Sequence, residues 1–247
     1  MSSTAPEDVA RPLLALPAIE AFDAIVRGRR SVRSYADVQV PRRTVRDVLE
    51  LAARAPSNSN VQPWHTYVLT GRHKRALTDS VLRYYDTIGR TVREFDYQPG
   101  PDGWEEPYKE RRESFGEGLY GRALGLSLAD VDDREFYHRR NYDFFAAPVG
   151  LIVTVARNPR LSALIDAGAY IQTILLSARS RGLSTCAQAS FLDFHPAVRE
   201  CLAIPTHRTI VCGISLGYED AQHPIASNAT TREPVDRHVT FLWDDDD

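Results

Sequence analysis

The sequence predicts an α+β fold. Three features support this prediction: helical patterns near the N-terminus, short apolar segments of strand length, and one long apolar helix in the C-terminal half. Helices and strands that follow one another without a strict βαβ repeat are typical of a sheet with helices packed against it.

The N-terminal half is predicted to contain three helices and a strand before an irregular helical stretch. Apolar residues recur at helical spacing over residues 18–26. A second helix is expected to start at Pro41, because proline suits the first helical position. The segment HTYVLTG at residues 65–71 predicts a strand, and a polar and aromatic helix is predicted over residues 72–98. Less regular helices are expected over residues 107–143.

The C-terminal half is predicted to have strands on either side of its longest helix. The segments PVGLIVTVA at 148–156 and TIVCGISLGY at 209–218 predict the strands. The helix covers residues 162–182, and Gly182 suits its end. Residues 167–178 are apolar almost all round, so this part of the helix is expected to be buried on every side. A domain of this size would not cover it alone, and a second subunit is therefore predicted.

The composition is that of an ordinary globular protein. Of the 247 residues, 43% are hydrophobic and 26% are charged, and the net charge is −3. This balance gives no reason to expect nucleic acid or a membrane as a partner. The three cysteines lack the spacing of a disulfide framework or a metal site. With no signal-peptide pattern and no apolar run of roughly 18 residues, a cytoplasmic protein is predicted.

The chain is expected to form one domain over residues 17–247, preceded by a flexible arm at residues 1–16. Residues 95–143 are predicted to be a helical, aromatic-rich insertion, since residues 84–145 hold 13 of the 23 aromatic residues. Proline and glycine interrupt the periodicity of residues 95–125, so this part is expected to form a cap over a binding site. Packing of the same aromatic residues in an ordinary core is the alternative interpretation.

Two short motifs suggest other chemistry but lack the required context. GEGLYGRA at residues 116–123 has the glycine spacing of a phosphate loop, but Arg122 and Ala123 replace its lysine and its hydroxyl residue. GISLG at residues 213–217 matches G-x-S-x-G and would make Ser215 the nucleophile of an esterase. A polar loop follows where that fold needs a helix. Two glycines at a strand end are therefore the preferred interpretation.

Basic residues cluster just after the first predicted helix. The segment RGRRSVR places Arg27, Arg29, Arg30 and Arg33 around Ser31. In an extended backbone, residues 29, 31 and 33 would present two guanidinium groups and a hydroxyl to a phosphate. Solvated cations near a helix C-terminus are an equally supported interpretation.

The loop APSNSNVQPW at residues 55–64 is rich in uncharged hydrogen-bonding groups. Two serines, two asparagines and a glutamine lie between two prolines. Because proline restricts the backbone, the loop is expected to hold its amides and hydroxyls in place for a ligand.

In their order along the chain, these segments resemble the FMN-dependent nitroreductase family. The resemblance is carried by RRSVRSY, APSNSNVQPWHTYVL, FFAAPVGLIVTV, DAGAYIQTILLSARSRGLSTC, AQASF, TIVCGISLGY and TTREPV. Together they cover most of residues 20–241. The resemblance implies an α+β fold with a central mixed sheet flanked by helices, in an intertwined homodimer with FMN at the subunit interface.

The resemblance also implies which residues hold the FMN. Those expected at its phosphate and ribityl chain are Arg29, Arg30, Ser31, Arg33 and Arg232, with Arg30 at the periphery. Those expected to reach the flavin of the other subunit are Pro56, Ser57, Asn58 and Asn60. Those expected along the ring are Gln188, Ala189 and Ser190, whose backbone N–H groups would favour the reduced, anionic flavin.

Two positions depart from the family pattern. Ser190 stands where many relatives have glycine, and it is expected to narrow the pocket. Thr230 stands where some relatives carry a lysine, which would leave more of the phosphate charge to Arg232.

The implied activity is transfer of hydride from NAD(P)H to flavin N5 and then to a nitroaromatic or quinone acceptor. One site used twice implies ping-pong kinetics, and the flavin leaves no catalytic role to a side chain. No GxGxxG motif indicates a separate dinucleotide domain. A serine esterase and a flavin-binding module without turnover remain alternatives. A preference for NADPH would require an arginine near the pocket, and the candidates are Arg111, Arg112, Arg122 and Arg140.

Overall fold

The computed structural model describes residues 16–100, 103–127, 129–156 and 161–243. The predicted arm at residues 1–16 lies outside the described residues except for the backbone of Leu16, where the first helix begins.

Within these residues the chain forms seven α-helices and four β-strands. The helices are α1 (Leu16–Gly28), α2 (Arg42–Ala52), α3 (Gly71–Thr87), α4 (Tyr108–Gly116), α5 (Val131–His138), α6 (Leu161–Arg179) and α7 (His195–Cys201). The strands are β1 (His65–Thr70), β2 (Val149–Ala156), β3 (Ser184–Gln188) and β4 (Arg208–Gly217). A π-helical turn, Glu117–Ala123, continues α4, so the GEGLYGRA segment is helical and forms no phosphate loop.

The four strands form one antiparallel sheet in the order β1-β2-β4-β3. The central strands β2 and β4 are apolar and almost wholly buried. The core joins Val48 of α2 and Ile174 of α6 to Leu151 and Ile214 of the sheet. Helices packed on this sheet confirm the α+β prediction. Among the described residues, the parallel component of the expected mixed sheet is a single isolated bridge beside β3.

The chain divides into two compact units. The first contains the sheet and comprises the described residues up to Tyr97 together with those of Arg139–Glu219. The second comprises Gln98–His138 and the chain from Asp220 onward, and it contains α4, the π-helical turn and α5.

The helix predicted over residues 72–98 is shorter than expected. α3 ends at Thr87, and Gly89 adopts a left-handed φ of 86° while its N–H donates to the carbonyl of Tyr84. A glycine in this conformation satisfies the last carbonyls of a helix and redirects the chain. The end predicted at residue 98 is therefore wrong, and a segment held by ion pairs follows: Arg93 bonds to Asp193, and Glu94 to Arg199.

α6 is buried on one side rather than all round. Ile174 and Ala178 are fully buried, whereas Gly168 and Gln172 of the predicted stretch are exposed. Nearer the start of α6, Leu161 and Ile165 keep 74% and 64% of their surface exposed. α6 also has the length and mean hydropathy (1.4) of a membrane span, contrary to the expectation that no such stretch exists, and 39% of that stretch is buried. Its buried face belongs to the core of the first unit. The apolar side chains on its opposite face are exposed to solvent in the isolated chain.

Candidate functional site

The basic segment predicted to bind phosphate runs beside the end of the sheet. Ser31 forms a parallel bridge with Thr185 of β3, and the N–H of Val32 donates to the Thr185 carbonyl at 3.0 Å. The guanidinium of Arg33 donates to the Ser31 carbonyl at 3.3 Å. The long-range bridge to β3 is the feature that sequence patterns did not reveal.

Three of the predicted phosphate ligands lie near one buried thiol, that of Cys186. Burial raises the pKa of Cys186, whereas Arg33, a hydrogen bond with Ser31, and Arg29 lower it. Arg29, Ser31 and Arg33 therefore lie in the neighbourhood of the same residue of β3. Two half-buried guanidinium groups and an exposed hydroxyl at one point suit a phosphate group.

Arg30 is directed elsewhere. Its guanidinium forms an ion pair with Glu219 at 2.5 Å, and the carboxylate is mostly buried. This pair fixes the segment after β4 to the basic segment. The placement agrees with the expectation that Arg30 is peripheral to the phosphate.

The structure is inconsistent with Ser215 as an esterase nucleophile. Ser215 lies inside β4 with 0% of its surface exposed, paired with Gly150 and Cys186 on the neighbouring strands. Its hydroxyl bonds to the Tyr35 hydroxyl at 2.8 Å, and burial raises the pKa of Tyr35 well above its usual value. A nucleophile must reach its substrate, and this hydroxyl is enclosed by the core.

The segment predicted to lie along a flavin ring begins where β3 ends. Gln188 is the last residue of β3, and Ala189–Phe194 forms a 3₁₀ helix. The side-chain amide of Gln188 donates to the Asn141 carbonyl at 2.7 Å, which leaves its Oε1 facing away. Asn141 thus orients Gln188, a role that the sequence did not indicate.

Two side-chain oxygens on this segment are buried without a protein partner. Among the described residues, Gln188 Oε1 and Ser190 Oγ have no hydrogen-bond partner. A buried polar atom left unpaired costs about 1–3 kcal/mol, so such atoms usually have a partner. The carbonyls and N–H groups of an isoalloxazine ring would supply one. The basic cluster of Arg29, Ser31 and Arg33 lies near Cys186, two residues before Gln188 on β3. The residues of the first unit therefore fit FMN.

The polar loop has an unusual backbone and hydrogen bonds within itself. Ser59, Asn60 and Gln62 adopt left-handed φ angles of 51°, 56° and 50°. Non-glycine residues in this region cost on the order of 1–3 kcal/mol each, and they cluster at functional sites. Ser57 Oγ accepts from the Gln62 N–H at 3.0 Å, and the Gln62 amide donates to Asn60 Oδ1 at 3.1 Å.

This loop is anchored to α6 but its tip faces outward. The N–H of Asn58 donates to Asp166 Oδ1 at 3.0 Å, and Trp64 stacks on Tyr170 with ring centroids 4.7 Å apart. The side chains of Asn58 and Asn60 are exposed in the isolated chain, as is Pro56. Their predicted contact with the flavin of another subunit stays a prediction.

Two glycines of the sheet make room for aromatic rings that support the ring segment. Phe191 follows Ser190 directly and lies over Gly213 of β4. Phe144 lies over Gly150 of β2 in the same way. Gly213 is therefore an interior strand residue, not a strand end as expected from the GISLG motif. A glycine inside an apolar strand is the sequence signal from which this close approach could have been predicted.

Arg232 belongs to the second unit. Its guanidinium donates to Thr230 Oγ1 at 3.0 Å and to the Thr231 carbonyl at 2.8 Å. Thr230 thus positions Arg232. The predicted contact of Arg232 with the FMN phosphate stays a prediction.

The chain matches known proteins along most of its length. The model of the nitroreductase family matches residues 26–218. The 4-nitrobenzoate reductase of Pseudomonas putida is 37% identical over 90% of this chain and 95% of the relative. The chloronitrobenzene nitroreductase of Comamonas testosteroni is 36% identical over 92% of this chain and 99% of the relative.

A solved structure is similar in sequence and fold. The FMN-dependent nitroreductase NfnB from Mycobacterium smegmatis, in complex with NADPH, superposes with a TM-score of 0.86 and 31% identity, over 92% of this chain and all of NfnB. The resemblance drawn from the segment order is thereby confirmed. The chain belongs to the nitroreductase family.

Proposed function

We propose that the protein is an FMN-dependent oxidoreductase that takes electrons from NAD(P)H and reduces nitroaromatic compounds. Two relatives at 36–37% identity are named as reductases of 4-nitrobenzoate and of chloronitrobenzene, and NfnB is FMN-dependent. Quinones are a second class of acceptor, since they are also flat, electron-poor rings.

One structural observation carries this proposal. The bridge between Ser31 and Thr185 brings the basic cluster of Arg29, Ser31 and Arg33 to β3. The unpaired oxygens follow close by, on Gln188 at the end of β3 and on Ser190 two residues later. The basic cluster suits the phosphate of FMN, and the neutral oxygens suit the edge of its ring. One FMN molecule has both of these ends. The esterase alternative is rejected because Ser215 is fully buried and would not reach a substrate.

The residues have separate roles in this proposal. Arg29, Ser31 and Arg33 hold the phosphate by charge-assisted hydrogen bonds. Gln188 and Ser190 offer neutral groups to the ring edge and place no charge against it. The bound flavin supplies the electron transfer itself. No side chain of the chain is required as an acid or base, and the chain's contribution is binding and orientation.

The protein is further proposed to act as a homodimer with FMN at the subunit interface. α6 presents Leu161 and Ile165 to solvent, and the neighbouring helix α1 exposes Phe22 and Val26. Apolar side chains exposed together on adjacent helices mark a protein interface. The outward-facing loop with Asn58 and Asn60 would then meet the second subunit. A cytoplasmic location agrees with the free cysteines Cys186, Cys201 and Cys212.

The insertion is proposed to shape the acceptor pocket rather than the FMN site. Several aromatic residues of the predicted aromatic stretch, including Tyr84, Tyr85 and Tyr142, pack with Phe194 in the first unit, as an ordinary core does. The predicted cap over the binding site is therefore proposed to be formed by residues of the second unit. Deletion of residues 98–106 should change the acceptor range and leave the FMN content unchanged.

Purified full-length protein tests the function directly. The expected preparation is yellow with one FMN per subunit, loses its colour anaerobically on addition of NAD(P)H, and regains it on addition of 4-nitrobenzoate. Colour that neither nucleotide bleaches would identify a flavin-binding module without turnover. Colourless protein that does not bind added FMN would contradict the proposal.

A further inference from the structure

The second unit contains an open basic cleft of about 1280 Å³ between α4 with its π-helical turn and the segment after residue 227. We call this the basic cleft. Its charged lining residues are Glu110, Arg111, Arg122, Arg232, Glu233, Arg237 and His238. Four arginines against two glutamates give the cleft a positive charge, although the whole chain carries a net charge of −3.

Not all of this charge is neutralised by ion pairs. Arg111 pairs with Glu233 at 3.3 Å, and Arg232 bonds to neutral oxygens of the threonines before it. Among the described residues, Arg122 and Arg237 form no ion pair. Guanidinium groups that line a cleft without a carboxylate partner are suited to bind an anion from solution.

The guanidinium of Arg122 lies close to a glycine. Gly118 is buried one turn earlier, and a Cβ there would come within 3.1 Å of both Arg122 Nη2 and Asn228 Oδ1. A larger residue at 118 would require the guanidinium or the amide to shift by a few tenths of an ångström.

Aromatic rings line the same cleft. Tyr108 and Phe115 are both exposed there, and the guanidinium of Arg111 lies 5.7 Å from the centre of the Tyr108 ring. Flat aromatic faces bind planar rings by stacking. A cleft that combines aromatic faces with unpaired guanidinium groups therefore suits a nucleotide that carries an extra phosphate.

We propose that the basic cleft binds the 2′-phosphoadenosine half of NADPH, with Arg122 as the residue that distinguishes NADPH from NADH. This inference rests on the proposed function, because it assigns a subsite to its electron donor. A 2′-phosphate carries the charge that NADH lacks, and a guanidinium donates two parallel hydrogen bonds to such a group. NfnB, 31% identical to this chain, was solved in complex with NADPH.

The structure also distinguishes between the four arginines that the sequence left as candidates for recognising NADPH. Arg111 and Arg122 line the basic cleft. Arg112 lies beside the Trp104 ring, 5.8 Å from its centre, and is not part of the lining. Arg140 belongs to a 3₁₀ turn of the first unit.

The test compares three variants of the FMN-loaded enzyme: Arg122→Ala, Arg122→Lys and, as the matched control, Arg112→Ala. For Arg122→Ala, kcat/KM for NADPH should fall about ten- to hundredfold, the range for losing a hydrogen bond to a charged group. The loss should appear in KM, with kcat and all constants for NADH unchanged. Arg122→Lys should recover part of the loss, and Arg112→Ala should resemble the parent enzyme.

A direct measurement of nucleotide binding tests the subsite independently of the redox reaction. By calorimetry, 2′,5′-ADP should bind the parent protein more tightly than 5′-ADP does, and Arg122→Ala should abolish the difference. Equal affinity for the two probes, or equal losses with NADPH and NADH, would overturn the inference. If neither nucleotide reduces the flavin while 2′,5′-ADP still binds through Arg122, the proposed function fails and the subsite stands.

Discussion

The ring of Phe191 lies directly over Gly213, in the space that a Cβ at residue 213 would occupy. Phe191 is fully buried and follows Ser190 in the chain. The absence of a side chain in the middle of β4 therefore determines where the Gln188–Ser190 segment lies. A packing contact inside the core thus sets the position of a predicted cofactor-binding segment.

Gly213→Ala should displace Phe191 and destabilise the protein by about 1–3 kcal/mol, the usual cost of overpacking a core. The FMN content should fall with it, because the segment before Phe191 moves. Chemical denaturation and the absorbance of purified protein measure the two effects. The control is Gly116→Ala in α4, where no atom lies within 4 Å of the added Cβ. Unchanged stability of Gly213→Ala would contradict the packing argument.

Ser190→Ala should make the reduction potential of the bound flavin more negative. The hydroxyl is buried without a partner among the described residues, and in the proposed FMN site the ring edge is its partner. Losing one hydrogen bond of about 1 kcal/mol corresponds to roughly 20 mV for a two-electron couple. A spectroelectrochemical titration of the FMN-loaded protein measures the shift. An unchanged potential would place this hydroxyl away from the flavin.

Arg33→Ala should weaken FMN binding about ten- to hundredfold, since a hydrogen bond to a charged group contributes about 1.5–3 kcal/mol. The matched control is Arg27→Ala, because Arg27 is exposed and pairs with Asp23 one turn away on α1. FMN titration followed by flavin fluorescence gives both affinities. Equal losses in the two variants would indicate a general charge effect and not a phosphate ligand.

Stability should fall as the pH rises above about 8.5, the ordinary pKa of a thiol. Burial, with a contribution from Cys186, raises the pKa of Cys212 to about 12 in the folded chain. A raised folded pKa means that the stability is complete below the unfolded pKa and is lost as the pH rises towards 12. Cys212 alone contributes a slope of at most about 1.4 kcal/mol per pH unit.

Urea denaturation at several pH values between 8 and 10 measures this slope below the ordinary pKa of tyrosine. Cys212→Ala should flatten it, even if the variant is less stable at every pH. The same slope with and without Cys212 would assign the pH dependence to another group.

Ile165→Glu should convert the proposed dimer into a monomer with reduced FMN content. The side chain is 64% exposed on α6, so the isolated fold tolerates the charge, whereas a subunit interface does not. Sedimentation velocity gives the mass, and circular dichroism verifies that the variant is folded. A parent protein that sediments as a monomer would refute the interface on α6.

The sequence by itself was sufficient for the fold class, for most elements and for the family. The apolar runs of β2 and β4 and the helical spacing of α1 and α2 are local patterns, and the order of RRSVRSY, the polar loop and AQASF identified the family. Local patterns suffice here because strand and helix periodicity is encoded within a few residues.

Only the tertiary structure decided which of the singled-out residues act together. It paired Arg30 with Glu219, enclosed Ser215 in the core, left one face of α6 exposed, and separated Arg122 from Arg112. It also revealed the unpaired oxygens of Gln188 and Ser190. Each of these depends on contacts between residues far apart in the chain or on where a side chain points, and a one-dimensional pattern does not contain that information.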